Sequence, residues 1–170
     1  MQTDSFEQIY DELFPIIYRF VRLRVPQSEV EDITAEVITK IWRALPNFEG
    51  KSSLKSWALK IAYHHIADYY RATKGKGVQV ISLSEEIKSS TPQEDHSNNL
   101  ITALSVSEVL SKLSEPQIAV IQLRLIEGFS AIEVAQIMGI TQQAVDSLLY
   151  RAKKSFRKHY EKEHAGEVGI

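Results

Sequence analysis

The chain has 170 residues, 44% hydrophobic and 25% charged, so it accommodates one ordinary globular domain or two small ones. The absence of cysteine excludes disulfides, thiolate metal sites and a cysteine nucleophile. No apolar run is long enough for membrane insertion, and the acidic N-terminus lacks the pattern of a secretory signal, so we expect a cytoplasmic protein. The net charge of −2 conceals two basic blocks, at residues 51–77 and 151–158. Such blocks attract nucleic acid, although a solvated surface also explains either one alone.

Three helices are predicted in the N-terminal half, where apolar residues recur every three or four positions. The pattern covers residues 6–23, 30–45 and 54–70. Ser28 and Glu31 have the spacing of a capping box that would open the second helix. We expect the apolar stripes to bury several of the larger side chains, namely Val37, Ile41, Trp42, Trp57 and Tyr69.

From about residue 72 to 99 the periodicity dissolves into Gly, Ser, Thr, Asn and charge, which is typical of an interdomain linker. Helical periodicity resumes at Leu100, and two further capping boxes are predicted, Ser114 with Gln117 and Ser130 with Glu133. The sequence therefore predicts an all-α protein of two small helical domains. The expected division is a first domain at 1–73, a linker at 74–99, a second domain at 100–160 and a disordered tail at 161–170.

Residues 130–157 have the form of a helix-turn-helix. A short helix runs from Ser130 to about Met138, Gly139 supplies the turn, and Thr141 caps a second helix. The apolar face of that second helix would pack on a small core, together with Leu113, Ile118, Val120, Ile121, Leu123, Leu125 and Phe129. This inward face comprises Val145, Leu148, Leu149, Ala152 and Phe156.

The opposite face of the second helix is polar, which suits a helix docked in a DNA major groove. Glutamines in its first turn can address adenine, and the basic end can contact phosphates. A helical hairpin with a solvated basic end is the alternative that the pattern leaves open. The outward residues are Gln142, Gln143, Asp146, Ser147, Tyr150, Arg151 and Lys154.

Two blocks of the sequence resemble the bacterial RNA polymerase sigma factors, in particular the small extracytoplasmic-function (ECF) group of the sigma-70 family. SEVEDITAEVITKIWRALPNFEGKSSLKSWALKIAYHHIADYYRATK resembles region two, and LSEPQIAVIQLRLIEGFSAIEVAQIMGITQQAVDSLLYRAKKSFRK resembles region four. The resemblance covers most of residues 10–73 and 105–158. It implies a promoter-specificity subunit that is not an enzyme and needs no cofactor or metal. Its implied partners are core RNA polymerase, double-stranded and melted promoter DNA, and an anti-sigma factor.

The resemblance also implies roles for individual residues. Core-polymerase binding would fall on Glu31, Asp32 and Glu36, although acids at a helix start also suit the helix dipole. Capture and melting of the −10 element would fall on Lys51, Ser52, Ser53, Lys55, Lys60, Tyr63, His64 and Arg71, where aromatic and basic side chains interleave. Recognition of the −35 element would fall on Ser130, Thr141, Gln142, Gln143, Asp146, Ser147, Tyr150, Arg151 and Lys154.

Three positions depart from the family pattern. His64 stands where asparagine is common, and Asp146 and Leu148 replace a frequent lysine and arginine. Asp146 has three interpretations: it accepts from a cytosine amino group, it orients Arg151 or Lys154, or it only weakens DNA affinity. We favour an effect on specificity at a cost in affinity.

Two other function classes compete with this interpretation. A conventional helix-turn-helix regulator would share the second block but has no need of the GKSSLKSW loop and the aromatic-basic helix after it. A metalloenzyme would use His64, His65 and Asp68, but three ligands on one helix without a fourth partner are weak evidence for a metal site.

Overall fold

A computed structural model of the chain describes residues 2–73 and 106–165, with side chains described from residue 5. The predicted linker at 74–99 and the last five residues of the predicted tail lie outside the described residues. Throughout the described ranges the regular structure is helical and contains no strand, which confirms the all-α fold class.

The first unit is a bundle of three helices that pack on one another: α1 (Gln2–Arg22), α2 (Val30–Ala44) and α3 (Leu54–Thr73). These bounds confirm the three helices predicted from the apolar periodicity. Pro15 lies inside α1 on its exposed side, and the helix continues through it. The centre of the unit is formed by fully buried side chains, including Ile17, Phe20, Val37, Leu59 and Ile66.

Two predictions for α2 were wrong. Ser28 does not open a capping box, because Gln27–Glu29 form a 3-10 turn and Glu29 occupies the N-cap of α2 without a side-chain bond. Trp42 is 45% exposed because the buried Val37 and Ile41 already occupy the inward side of the helix. The Trp42 ring meets the edge of Phe6 in α1, with ring centroids 4.0 Å apart.

In α3, Trp57 and Tyr69 are half-buried and pack against the core, so the expectation of burial holds in part.

The second unit contains a helical segment at 106–111, then α4 (Glu115–Ile121), a π-helical segment (Gln122–Ile126), α5 (Ala131–Met138) and α6 (Gln142–His164). Both α4 and α5 pack against α6. The capping box of Ser114 and Gln117 is confirmed, as is that of Ser130 with Glu133, whose backbone N–H lies 3.2 Å from the Ser130 hydroxyl.

The helix-turn-helix is also confirmed. Gly139 ends α5 in the left-handed conformation with φ of 69°, where a side chain is disfavoured. The Thr141 hydroxyl then caps α6 by accepting the backbone N–H of Ala144 at 3.1 Å. On α6 the predicted apolar face turns inward, with Val145, Leu149 and Ala152 buried and Leu148 and Phe156 packed against the core.

Two predictions for the second unit were wrong. Leu125 is 55% exposed, because the backbone N–H of Glu127 bonds to the carbonyl of Gln122 in a π turn, which shifts the side chains out of α-helical register. The predicted disordered tail at 161–170 is helical through His164. Its order is explained by an ion pair between Lys112 and Glu163, and by rings stacked along that face of α6.

The two units are packed together, since α3 lies against α5 and their buried residues form one continuous hydrophobic cluster. Each unit has roughly the size at which a core of its own is marginal. The shared contact therefore contributes to the burial available to both units.

Gly139→Ala should lower the free energy of unfolding by about 1 kcal/mol, because alanine disfavours the left-handed backbone. Apart from the adjoining backbone, no atom of the described residues lies within 4 Å of the place that a Cβ would occupy, so the cost is conformational and not steric. Urea denaturation followed by circular dichroism measures the change. Gly139→Asn is the control and should lose less, because asparagine tolerates this conformation; equal stability of wild type and Gly139→Ala would contradict the assignment.

Candidate nucleic-acid interface

The outward face of α6 lies in solvent, as the periodicity predicted. Tyr150 is 69% exposed, and Asp146 forms no ion pair with any cation in the two described ranges. The Nε of Arg151 bonds weakly to the Ser147 carbonyl at 3.4 Å. The side chains of this face are therefore available to a ligand, and the structure brings together Gln142, Gln143, Asp146, Ser147, Tyr150, Arg151 and Lys154.

Three hydroxyls predicted to contact DNA also cap helices. Ser130 caps α5 and Thr141 caps α6, while Ser53 accepts the backbone N–H of Ser56 at 3.1 Å in the first turn of α3. In each case the hydroxyl oxygen accepts from the protein and its O–H remains a donor. A hydroxyl held in this way at a helix N-terminus can donate to a phosphate oxygen, where the helix dipole also favours an anion.

The cations predicted for the −10 element lie on the loop before α3 and along α3 itself. Lys51 pairs with Glu49 at 2.6 Å, and Arg71 with Asp68 at 2.7 Å. Such exposed pairs contribute little to stability, so a phosphate can replace the carboxylate at small cost. Lys60 projects from the same side of α3 as Arg71. The exposed members of this set are Lys51, Ser53, Lys55, Lys60, His64 and Arg71, and Ser52 is half-buried.

Tyr63 is half-buried and has a structural contact that the sequence did not indicate. Its ring faces the guanidinium of Arg24, with the Arg24 Cζ 5.1 Å from the ring centroid. His64 meets the same ring edge-on, with ring centroids 5.6 Å apart. Tyr63 is therefore engaged inside the protein more than the other residues predicted for the −10 element.

The three acids predicted to bind polymerase are exposed on α2. The Glu36 carboxylate lies 2.8 Å from Nε2 of the His65 ring. Glu31 borders a groove between α1 and α2. Aromatic residues form the α1 side of this groove and stack along the helix, Tyr10 on Phe14 at 5.2 Å between ring centroids. The sequence reasoning missed this ladder, although its four-residue spacing was visible at Phe6, Tyr10, Phe14 and Tyr18.

The second unit carries an apolar groove that the sequence reasoning also missed. The π turn brings Leu125 and Ile126 to the surface beside α6, where Phe156 and Tyr160 form the other side. Arg157 lines the same groove. This groove was not expected from the sequence, because Leu125 was predicted to lie in the core.

A fully buried arginine joins the two units. Arg24, in the turn after α1, forms an ion pair with Glu115 in the first turn of α4, and its Cζ lies 4.5 Å from the ring centroid of Phe20. Burial lowers the pKa of Arg24 to about 9, which leaves the group charged at neutral pH. Tyr70 donates its hydroxyl to the Arg24 carbonyl, and burial raises the pKa of Tyr70 to about 12.

A second polar contact between the units lies near the first. Arg19 donates through Nε and one Nη to both oxygens of the Glu127 carboxylate, each at 2.8 Å. The Gln122 side chain, buried in the π segment, donates to the Arg19 carbonyl at 3.2 Å. Nothing in the sequence pattern pointed to these contacts, because they join residues about one hundred positions apart.

The described residues contain no group of three or more His, Asp or Glu side chains arranged to hold a metal ion. His65 is paired with Glu36, and Asp68 is paired with Arg71. Two of the three side chains of the metalloenzyme alternative are therefore held by different partners. Among the described helices, none is long and apolar enough to cross a membrane.

Comparisons with known proteins match both units. The family model for sigma-70 region 2 matches residues 7–75, and that for sigma-70 region 4 matches residues 103–156. The ECF RNA polymerase sigma factor SigX of Bacillus subtilis is 28% identical over 93% of this chain and 84% of its own length. The ECF RNA polymerase sigma factor BldN of Streptomyces coelicolor is 24% identical over 92% of this chain, which spans 61% of that relative.

A solved structure shares the fold across both units. The sigma factor RpoE of Bartonella quintana, crystallised with the anti-sigma factor NepR, is similar with a TM-score of 0.71 at 21% identity, covering 92% of this chain and 97% of RpoE. CnrH in complex with the cytosolic domain of CnrY is similar with a TM-score of 0.65 at 20% identity, covering 92% of this chain and 87% of CnrH.

Ser53→Ala should lower the free energy of unfolding by about 1 kcal/mol, because it removes the cap from α3. Ser53→Asp should retain most of the stability, since its carboxylate can accept the same backbone N–H. Ser52→Ala is the matched control and should change the stability by less than about 0.5 kcal/mol. Urea denaturation of the three variants measures this, and an equal loss in Ser53→Ala and Ser53→Asp would contradict the capping role.

Proposed function

Because the chain belongs to the ECF group of the sigma-70 family, we propose that it binds core RNA polymerase and directs initiation at a particular set of promoters. The observation that carries this proposal is the presence of both sigma regions, in order, on two helical units of one chain. The polymerase would supply the chemistry, so the chain would be neither an enzyme nor dependent on a cofactor. Its place of action would be the cytoplasm, where the polymerase and promoters are found.

Recognition of the −35 element would fall to α6. Its first turn offers Gln142 and Gln143 for base edges in the major groove, and its exposed basic residues further along can contact phosphates. The capping hydroxyls of Ser130 and Thr141 would add phosphate contacts at two helix N-termini.

Opening of the −10 element would fall to the loop before α3 and to the exposed side of α3. Unpaired bases need a surface that tracks the phosphates and a loop that closes round an extruded base. Lys51 and Ser52 belong to that loop, while Lys60 and His64 lie on α3 and would follow the strand.

Core polymerase would contact the first unit on α2 and along the adjoining groove. The exposed carboxylates of Glu31, Asp32 and Glu36 give this surface its charge, and the aromatic side chains of α1 give it apolar area. The similar solved structure of RpoE is a complex with the anti-sigma factor NepR, and that of CnrH is a complex with the cytosolic domain of CnrY. We therefore infer that an anti-sigma factor also binds this chain.

A conventional helix-turn-helix regulator is the weaker alternative, because a domain like sigma-70 region 2, matched here by residues 7–75, has no role in such a protein. The net charge of −2 also gives the isolated chain little general attraction to DNA. Stable promoter binding should accordingly require the polymerase.

The proposed function is tested by transcription in vitro with purified core polymerase and a library of genomic fragments, followed by mapping of transcript starts. Defined start sites that depend on this protein are the expected result. Failure to direct initiation from any fragment, despite a folded chain and active core enzyme, would refute the proposal.

Lys51→Ala should slow formation of the open complex about tenfold, because it removes one charge-assisted contact worth roughly 1.5 kcal/mol to the melted strand. Affinity for core polymerase should stay unchanged. Permanganate reactivity of unpaired thymines measures opening, and Lys162→Ala, an exposed lysine at the far end of α6, is the control. An equal loss of polymerase affinity would contradict the role given to Lys51.

Asp146→Ala should make the holoenzyme bind DNA more tightly and discriminate less between −35 sequences, by about 1 kcal/mol or more at one base pair. The reason is that an unpaired carboxylate repels phosphates and accepts from a cytosine amino group. Selection from a randomised −35 library measures both effects. Glu161→Ala removes an acid from the same helix, away from the first turns, and should leave selectivity intact; weaker binding of Asp146→Ala with unchanged selectivity would contradict the assignment.

A further inference from the structure

We propose that His65 is a positioning residue for the polymerase-binding surface, where its neutral ring donates through Nε2 to Glu36 and holds that carboxylate in one direction. The inference rests on the proposed function, because it concerns the face of α2 that would bind core polymerase. Its structural part, the hydrogen bond and the form of the ring, depends only on α2 and α3 of the first unit.

Glu36 differs from the two other acids predicted to bind polymerase. Among the described residues, it is the one acid of the three whose side chain has a hydrogen-bond partner on another helix. Its Oε2 lies 2.8 Å from Nε2 of His65, which belongs to α3. The Glu36 side chain is nevertheless 62% exposed. Because a carboxylate has about four lone-pair sites, Glu36 can accept from a partner protein while His65 occupies one of them.

The His65 ring is far less accessible than the carboxylate it holds, since its side chain is 13% exposed. Ile61 and Tyr69 lie one helical turn before and after His65, and both pack against the core. Residues at this spacing share one face of a helix, so His65 belongs to a packed row of α3. The place of the ring is therefore set by the packing of the bundle.

The surroundings of the two ring nitrogens determine which of them carries the proton. An ionised carboxylate only accepts, so Nε2 of His65 must be the donor to Glu36. Nδ1 is buried and has no hydrogen-bond partner in the part of the chain that the structure describes. A proton on Nδ1 would be a buried donor without an acceptor, which is costly. The ring is therefore neutral, with its proton on Nε2.

Glu36 also has a competing partner on its own helix. Lys40 follows one turn later on α2, in the order and at the spacing at which a glutamate and a lysine pair on a helix surface. The ion pairs of the described residues nevertheless join Glu36 to His65 and not to Lys40. His65 thus selects the direction across to α3 over the direction along α2.

A carboxylate that is already held binds a partner at a lower entropic cost than a mobile one. Glutamate is among the side chains that lose most rotamer freedom when they are ordered, and ordering at an interface opposes association. In this structure the hydrogen bond from His65 supplies that order before any partner binds. Because the ring is neutral, it does so without cancelling the negative charge of the surface. We expect a gain of about two- to tenfold in affinity for core polymerase.

A contact that only ties α2 to α3 would have different consequences. A hydrogen bond to an exposed carboxylate contributes little to stability, so a purely structural contact would affect polymerase binding only by destabilising the fold. A positioning contact instead changes affinity while the free energy of unfolding stays nearly constant. Measuring both quantities on the same variants therefore separates the two roles.

His65→Leu and His65→Gln are the informative pair of variants. Leucine fills the space but cannot donate, so His65→Leu should bind purified core polymerase about two- to tenfold more weakly than wild type. The amide of glutamine can donate to Glu36, so His65→Gln should retain most of the affinity. His159→Leu, which removes a half-buried histidine from α6, is the matched control and should bind like wild type. Equilibrium binding of the full chain measures affinity, and urea denaturation measures stability.

Glu36→Ala tests whether the ring acts through the carboxylate. If it does, His65→Leu should cause no further loss of affinity once residue 36 is alanine. An equal effect of His65→Leu with and without the Glu36 carboxylate would overturn the positioning role. Wild-type affinity in folded His65→Leu, or in Glu36→Ala, would overturn it as well.

NMR of the ring nitrogens gives a result that does not depend on polymerase. Wild type at neutral pH should show a neutral His65 ring with its proton on Nε2, and a proton on Nδ1 would overturn the assigned hydrogen bond. The binding experiment distinguishes this inference from the proposed function. Wild type that does not bind core polymerase would refute both, whereas wild type that binds and His65→Leu that binds equally well would refute the role of His65 alone.

Discussion

The burial of the Arg24 guanidinium is the constraint on which the arrangement of the two units depends. A fully buried charge needs a counter-ion, and the chain supplies Glu115 from the far side of a sequence gap of about ninety residues. The end of α1, the aromatic residues of α3 and the first turn of α4 consequently meet at one point. α3 also packs on α5, and this contact extends the apolar cluster that the two units share.

The contact between the units also matters because each unit is small. Neither unit is large enough to bury a generous core by itself, so separation of the units exposes apolar surface on both. A partner that opens the chain must cover that surface in exchange. The aromatic groove along α1 and the groove around Leu125 and Phe156 remain at the surface of the closed chain, where a partner can engage before opening is complete. Opening and partner binding are therefore expected to proceed together.

The sequence predicted the helices and the outward face of α6, because a three- to four-residue apolar period and local caps are properties of neighbouring residues. It failed where a feature depends on distant residues or on a change of helical register. Trp42 is exposed because Val37 and Ile41 occupy the inward side of α2. Leu125 is exposed because of a π turn, which the helix propensities of single residues do not predict. Arg24 lay in an unremarkable turn, and its burial is visible only once Glu115 is placed beside it. The roles given to the interface residues remain predictions.

The two units pack together in this structure, and the proposed function requires them to reach two promoter elements at once when the chain is bound to polymerase. Because the chain has no cysteine, Lys40→Cys and Lys158→Cys at two exposed positions supply the only thiols, so that each unit carries one dye. Single-molecule energy transfer should report a short distance between the units in the free protein and a distance longer by several tens of ångströms in the complex with core polymerase and promoter. An unchanged distance in a complex that transcribes would contradict the account.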